Sequence, residues 1–132
     1  MSSYKDLIVW QKAMQLVKKV YSLTQLLPRE ELYGLASQMK RAAVSVPCNI
    51  AEGFRRNHRQ EQIQFFAVSY GSGAELETQI EICKQLGFAK AEQTKVAEDI
   101  LNEVMRMLNT FSIPMSRRLQ DSTTNYVLRS TF

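Results

Sequence analysis

The stretch from residue 38 to residue 59, QMKRAAVSVPCNIAEGFRRNHR, decides the fold of this chain. Wound at about 100° per residue, it places two stripes on neighbouring sides of one helix. The apolar stripe, which begins slightly earlier, comprises Leu32, Leu35, Met39, Val46, Ile50 and Phe54. The polar stripe comprises Gln38, Arg41, Ser45, Asn49, Glu52 and Arg56. A surface helix needs only the apolar stripe, so the polar stripe must be solvated, paired with another element or used in function.

Pro47 lies inside this stretch and bears on whether it is one helix. A proline in a helix interior removes the bond from its own nitrogen to the carbonyl four residues earlier, here that of Ala43, and crowds that carbonyl. Both stripes keep their register on either side of Pro47. We therefore expect one helix from about residue 28 to residue 56, with a kink near residues 43–47.

Three further segments show helical periodicity, at residues 5–27, 58–86 and 91–115. Pro28 ends the segment at residues 5–27, and Gly87 is the expected C-terminal cap of the segment at residues 58–86. The main apolar positions of the segment at 58–86 are Ile63, Phe66, Tyr70, Ala74 and Ile80. In the same segment, the small residues Gly71 and Gly73 would let another helix approach closely.

The first segment carries two apolar stripes instead of one. One stripe comprises Leu7, Trp10, Met14, Val17 and Tyr21, and the other comprises Leu16, Val20, Leu23 and Leu27. A helix with two apolar sides is either central in its own domain or meets another subunit with one of them.

Four helices with short connections predict an all-α fold, an antiparallel up-down-up-down four-helix bundle over residues 1–115. The chain has 132 residues, which is the size of one domain. Residues 116–132 are polar and lack a helical stripe, so we expect a mobile C-terminal tail there.

Charge and composition narrow the class of protein. Residues 1–60 hold ten Lys or Arg against four acids, whereas residues 61–132 hold seven against nine. A basic half is compatible with nucleic acid, with an acidic partner or with solubility alone. No run approaches the roughly 20 apolar residues of a membrane span, and the N-terminus lacks a secretory pattern, so a cytoplasmic protein without a membrane partner is expected.

The sequence contains few residues or motifs that could form an enzyme active site. His58 is the only histidine, and Cys48 and Cys83 make no metal-binding spacing. No HExxH, Glu-x-x-His or G-x-S-x-G motif is present. We therefore expect a non-enzymatic protein with no catalytic residue, no metal site and no cofactor.

Two sets of polar residues remain as candidates. The first, Arg41, Ser45, Asn49 and Glu52, is interpreted as a structural polar network, because buried amides and carboxylates must find partners. Arg56, Ser69 and Ser72 are its possible partners. The second set is a candidate nucleic-acid-binding surface that comprises Lys40, Arg41, Arg55, Arg56 and Arg59. Arginine can fork bidentately onto phosphate, although a solvated turn with local salt bridges explains the same residues equally well.

The chain resembles a known family through a set of short motifs. They are Asp6-Leu7 with Val9-Trp10-Gln11, Glu31 with Tyr33-Gly34-Leu35, Gln38 with Arg41-Ala42, Ser45-Val46-Pro47, Asn49-Ile50-Ala51-Glu52-Gly53, and Gly71-Ser72 with Glu75-Leu76-Glu77-Thr78. Over residues 4–115 the chain resembles the bacterial four-helix-bundle proteins encoded by intervening sequences within 23S rRNA genes.

The resemblance implies an up-down bundle that assembles as a homopentamer, and it carries over no catalytic residue. A distant relative is the basic accessory protein of diversity-generating retroelements, which associates with a reverse transcriptase and nucleic acid. We therefore expect a homo-oligomer that associates through a basic face with nucleic acid, RNA or DNA, and specifically with structured RNA. The alternative is a structural adaptor that binds another protein and has no nucleic-acid role.

Overall fold

A computed structural model describes residues 3–112 of the chain, which form four long helices and no strand. These are α1 (Ile8–Thr24), α2 (Leu35–Phe54), α3 (Arg59–Gln85) and α4 (Ala91–Ser112). The all-α prediction is confirmed. The predicted tail at residues 116–132 and the predicted end of the fourth helix near residue 115 lie outside the described residues.

The first two helices are shorter than the sequence pattern suggested, because each is preceded by a separate 3-10 turn. Tyr4–Asp6 forms the turn before α1, and Leu7 between them is extended. Arg29–Glu31 forms the turn before α2. The Glu31 carboxylate accepts a hydrogen bond of 3.0 Å from the Leu35 backbone N–H, which satisfies one of the free donors at the start of α2.

Helix α2 continues through Pro47 without ending, as expected. Pro47 is buried together with Val46 and Ile50, so it contributes to the packed face of the helix. At the end of α3, Gly87 has a φ of 75° and the Phe88 N–H bonds the Cys83 carbonyl at 2.9 Å. This is a Schellman motif, and it explains why a glycine stands there.

Each helix packs against its neighbours in the chain, and α4 closes the arrangement by packing against α1. No diagonal pair of helices is in contact within residues 3–112, so the helices occupy the corners of a square. Contacts between α2 and α3 join Met39 to Cys83 and Gly53 to Phe66, so these helices run in opposite directions. The same reversal follows from the pairs Tyr21–Lys40 and Tyr4–Arg55 for the first two helices, and Lys84–Glu98 and Phe66–Phe111 for the last two.

The core divides into two apolar clusters along the bundle. The larger includes Leu16, Val20, Leu23, Met39, Leu76, Ile80 and Leu101. The smaller lies nearer the α2–α3 turn and comprises Val9, Ala13, Val46, Ile50, Val104 and Leu108. Fully burying one such side chain is worth about 1.5–3 kcal/mol, so each member of these clusters stabilises the bundle appreciably.

The two apolar stripes of α1 are buried to different extents. Leu16, Val20 and Leu23 are buried in the core. The other stripe is divided, because Leu7, Trp10 and Val17 are half-buried against the core whereas Met14 and Tyr21 are exposed. Helix α1 therefore uses part of both stripes within its own bundle and leaves Met14 and Tyr21 uncovered.

Helix α3 also differs from its predicted pattern. Its buried side is formed by Ser69, Gly73, Leu76, Gln79, Ile80 and Cys83, while Tyr70 and Ala74 are exposed. Gly73 allows the close approach of α4, because a Cβ on it would collide with the Met105 side chain. Gly71 faces open space and has no such role.

Candidate nucleic-acid interface

The end of α2 and the start of α3 bring three exposed arginines into one turn. Arg55 caps α2, Arg56 follows it, and Arg59 is the first residue of α3. We refer to Arg55, Arg56 and Arg59 as the arginine turn. Gln62 helps to hold its backbone, because its side-chain amide donates a hydrogen bond of 3.0 Å to the Arg56 carbonyl.

Aromatic rings support two of these arginines. The Arg55 guanidinium lies over the ring of Tyr4, 5.4 Å from the centroid, and that of Arg56 lies over Phe65 at 4.7 Å. A guanidinium stacked on a ring keeps its outward N–H groups free for another partner. Tyr4 was not singled out from the sequence, because only the packing of the chain's start against the end of α2 places it there.

The charge of the arginine turn is only partly neutralised. Arg56 pairs with Glu52 one helical turn back at 3.0 Å, and both side chains are exposed. Among residues 3–112, Arg55 and Arg59 make neither an ion pair nor a hydrogen bond through their side chains. Since exposed ion pairs are worth about 0–1 kcal/mol, a phosphate can compete for Arg56 as well.

Lys40 and Arg41 lie elsewhere on α2. Fourteen residues separate Arg41 from Arg55, which is about 21 Å along a helix. The Lys40 ammonium sits 5.2 Å from the centroid of the Tyr21 ring, and the exposed Arg41 has no side-chain partner within the described residues. The structure thus divides the five predicted basic residues into the arginine turn and a separate pair.

The polar stripe of α2 is divided as well. Ser45 meets α3, where its hydroxyl lies 2.8 Å from that of Ser72. The Asn49 amide donates to the Ser45 carbonyl at 2.8 Å and to its hydroxyl at 2.9 Å. These three residues form a half-buried network between α2 and α3.

Two residues assigned to that network from the sequence lie outside it. Arg41 and Glu52 are exposed, and Glu52 binds Arg56 at the surface. Charged side chains keep their hydration at the surface, which favours this placement of Arg41 and Glu52. Ser69 of α3 adds a further buried contact that no pattern in α2 indicates, a hydrogen bond of 2.8 Å to the Val46 carbonyl.

The remaining titratable groups do not converge on a reactive centre in the described part of the chain. His58 is exposed at the N-cap of α3 and makes no side-chain capping bond. No group of three or more His, Cys, Asp or Glu within residues 3–112 is arranged to hold a metal ion. None of the helices in that range combines the length and the hydropathy that spanning a membrane requires.

Comparisons with known proteins agree with this architecture. A crystal structure from Bacteroides thetaiotaomicron, of a protein with unknown function from the S23 ribosomal protein family, matches with a TM-score of 0.75. It is 18% identical and the match covers 81% of this chain and 100% of the other, which shows the fold. No curated protein matches the sequence. A family model described as the 23S rRNA-intervening sequence protein matches residues 5–110, which include all of α1, α2 and α3, and on this match the protein belongs to that family.

Proposed function

We propose that this protein is a non-enzymatic, cytoplasmic homo-oligomer that associates with structured RNA through the arginine turn. The observation that carries the proposal is the placement of Arg55, Arg56 and Arg59 at one end of the bundle, exposed and only partly neutralised. Guanidinium groups bind phosphate bidentately, and their weak hydration suits them to this contact.

The start of α3 adds to the same surface. His58 makes no side-chain bond to the first turn of α3, so the backbone N–H groups there are not capped by it. The positive end of a long helix favours an anion, and Arg59 stands at that end. Glu61, which lies in the same first turn, opposes this attraction and limits the site to contacts on the arginine side.

The contacts proposed are with the phosphate backbone and not with bases. Tyr4 and Phe65 are occupied by arginines, so the described part of the turn offers no free aromatic platform for base stacking. Affinity should therefore fall steeply with salt and depend little on sequence. The family description mentions 23S rRNA, which makes RNA the first nucleic acid to test, although it names no ligand.

Self-association would strengthen such binding. One turn with three arginines gives a weak site, but several copies held together present several sites at a high effective concentration. The resemblance of the sequence makes a pentamer the expected stoichiometry. The alternative function, an adaptor that binds another protein, is favoured by the exposed apolar residues of α1 and α2.

A salt series of RNA binding tests the proposal. The variant Arg55→Ala/Arg56→Ala/Arg59→Ala should bind a structured RNA more weakly and with a smaller dependence on salt, by about 0.7–0.9 in the log–log slope for each lost phosphate contact. The matched control removes three exposed lysines elsewhere, Lys18→Ala/Lys19→Ala/Lys90→Ala. Absence of binding at low salt, or equal losses in both variants, would overturn the proposal.

A second variant separates charge from geometry. Replacing the same three arginines by lysine keeps the charge but removes the planar fork. If bidentate phosphate contacts contribute, affinity should fall between those of the wild type and the alanine variant. An affinity equal to that of the wild type would assign the whole effect to charge.

A further inference from the structure

An open groove follows α2 and the segment before it on the outside of the bundle, with Tyr21 of α1 at its edge, and is named the α1–α2 groove below. It has a volume of about 880 Å³, and its walls include Tyr21, Leu32, Tyr33, Lys40, Arg41 and Val44. Four of these are large apolar side chains left exposed, and Tyr33 is 92% exposed. A contiguous group of this kind, rimmed by charges, is typical of a surface that meets another protein.

The charge on this side of the molecule is positive. Residues 8–54, which span α1 and α2, hold six Lys or Arg and three Glu. Within the groove, Lys40 touches only the ring of Tyr21, and Arg41 has no ionic partner in the described range. An occupant of the groove should therefore be apolar at its centre and acidic around it.

The opposite side of the same bundle has that composition. Residues 59–112, which span α3 and α4, hold five Lys or Arg and eight Asp or Glu. A depression of about 470 Å³ between these helices is lined by Glu77, Glu81 and Glu98 together with Ile82. Ile82 is exposed.

The carboxylates of this depression exceed the cations available to them. Lys84 pairs with Glu81 at 3.1 Å and with Glu98 at 3.2 Å, whereas Glu77 has no ion pair among residues 3–112. Partial burial raises the pKa of Glu77, because a charge there is poorly solvated. An added cation from outside would compensate that cost.

The two surfaces lie on opposite edges of the square bundle, because α1 contacts α2 and α4 but not α3. They cannot meet within one chain, and two basic grooves facing each other would repel. We propose that the α1–α2 groove of one copy receives the α3–α4 face of a second copy, with Lys40 and Arg41 opposite Glu77 and Glu81.

This contact rests on the self-association included in the proposed function and is independent of nucleic-acid binding. It is heterologous, since each copy uses two different surfaces, and such a contact produces a ring when its rotation closes. It also assigns Lys40 and Arg41 to the subunit contact, which leaves the arginine turn as the free basic surface.

Charge reversal tests the pairing. Wild-type chain at high micromolar concentration should sediment as an oligomer of the 15.2 kDa chain. The variants Lys40→Glu/Arg41→Glu and Glu77→Lys/Glu81→Lys should each shift toward the monomer mass, with at least a tenfold weaker association. The control Lys90→Glu/Lys95→Glu changes the net charge by the same amount as Lys40→Glu/Arg41→Glu, on exposed residues outside both surfaces, and should keep the wild-type mass.

Combining the two double variants in one chain distinguishes this contact from others. A single chain with all four substitutions should recover the oligomer, because its acidic groove then meets the basic face of the next copy. A monomeric wild type, an oligomer that neither double variant weakens, or a chain with all four substitutions that stays monomeric would overturn the proposal.

Cys48 provides a second measurement without any charge change. It is exposed and lines the groove, so its labelling by a maleimide should slow as wild-type concentration rises through the assembly range. In Lys40→Glu/Arg41→Glu the rate should stay fast. A concentration-independent rate in an oligomeric wild type would place the contact elsewhere. The arginine-turn alanine variant should keep the wild-type mass, so failure of RNA binding and failure of this contact are separable.

Discussion

The buried hydroxyl of Ser69 on α3 donates a hydrogen bond of 2.8 Å to the backbone carbonyl of Val46 on α2. Val46 directly precedes Pro47, so the bond ties the two helices together beside the residue that lacks an N–H. The neighbouring pair, Ser45 and Ser72, makes a second hydroxyl contact across the same helices. The seam between α2 and α3 is therefore polar at its centre, although both helices are apolar nearer their ends.

Removal of the Ser69 hydroxyl should destabilise the bundle. We expect Ser69→Ala to lower the free energy of unfolding by about 0.5–1.5 kcal/mol, the usual net value of one buried hydrogen bond. Urea unfolding followed by circular dichroism measures this. Thr78→Ala is the control, because the exposed Thr78 hydroxyl bonds only the Ala74 carbonyl of its own helix. Equal effects in both variants would contradict the role given to Ser69.

Two glycines should respond oppositely to alanine. A Cβ at Gly53 would lie 2.7 Å and 2.9 Å from two ring atoms of Phe66, so Gly53→Ala should destabilise by about 1–3 kcal/mol despite its better helix propensity. Gly71 has nothing within 4 Å, so Gly71→Ala should stabilise by up to about 1 kcal/mol. Thermal unfolding of both variants checks the signs, and a stabilised Gly53→Ala would mean that Phe66 moves freely.

Two of the acidic residues of the α3–α4 face, Glu77 and Glu81, should show opposite pH dependence. Burial raises the pKa of Glu77 above its ordinary 4.5, so its stabilising contribution is present below that value and is lost as pH rises through the higher folded pKa. Hydrogen bonds from Gln85 and then Lys84 lower the pKa of Glu81, so its contribution is present above 4.5 and is lost as pH falls through the lower folded pKa.

The glutamine variants measure these contributions. Relative to the wild type, Glu77→Gln should become more stable as the pH is raised from about 4 to about 7, whereas Glu81→Gln should become less stable. The lower pH lies about half a unit below the ordinary pKa of glutamate and the upper pH lies well above it. Urea unfolding at the two pH values provides the comparison. The same sign for both variants would contradict the environments described for these carboxyl groups.

The thiol of Cys83 should be unreactive in the folded protein. Its side chain is fully buried against Met39, and burial, followed by the charge of Glu31, raises the pKa of its thiol. Since the thiolate is the reactive form, a Cys48→Ser variant should react with a disulfide reagent at neutral pH only as fast as the protein opens. The rate should rise with urea in parallel with unfolding, and rapid labelling without urea would contradict this packing.

The sequence predicted the helices because their signals are local. Apolar stripes at spacings of three and four, together with Pro28 and Gly87, located four helices. Most of their described bounds lie within three residues of those observed, but α2 begins at Leu35, about seven residues after the predicted start. The differences arise where 3-10 turns replace the first turns of predicted helices. The resemblance drawn from short motifs is confirmed by the family match over residues 5–110.

The apolar periodicity of α3 did not predict its buried side correctly, because that side packs partly with small and polar residues. Ser69, Gly73 and Gln79 are buried there, whereas Tyr70 is exposed. Hydroxyl bonds and close approach replace apolar volume on this side, and both depend on what the neighbouring helix presents. The sequence indicated Gly73 as a small residue inside a helix and Ser69 as a possible partner of the polar stripe, but nothing indicated that Gln79 would be buried.

The sequence by itself determined the all-α architecture, the course of α2 through Pro47 and the presence of three arginines in one turn, because each follows from residues near one another in the chain. Only the tertiary structure decided how much of each stripe of α1 enters the core, which part of the polar stripe meets Ser72, and that Tyr4 supports Arg55. These depend on contacts between distant residues. Periodicity shows that a helix has an apolar face, but packing determines which neighbouring helix covers that face.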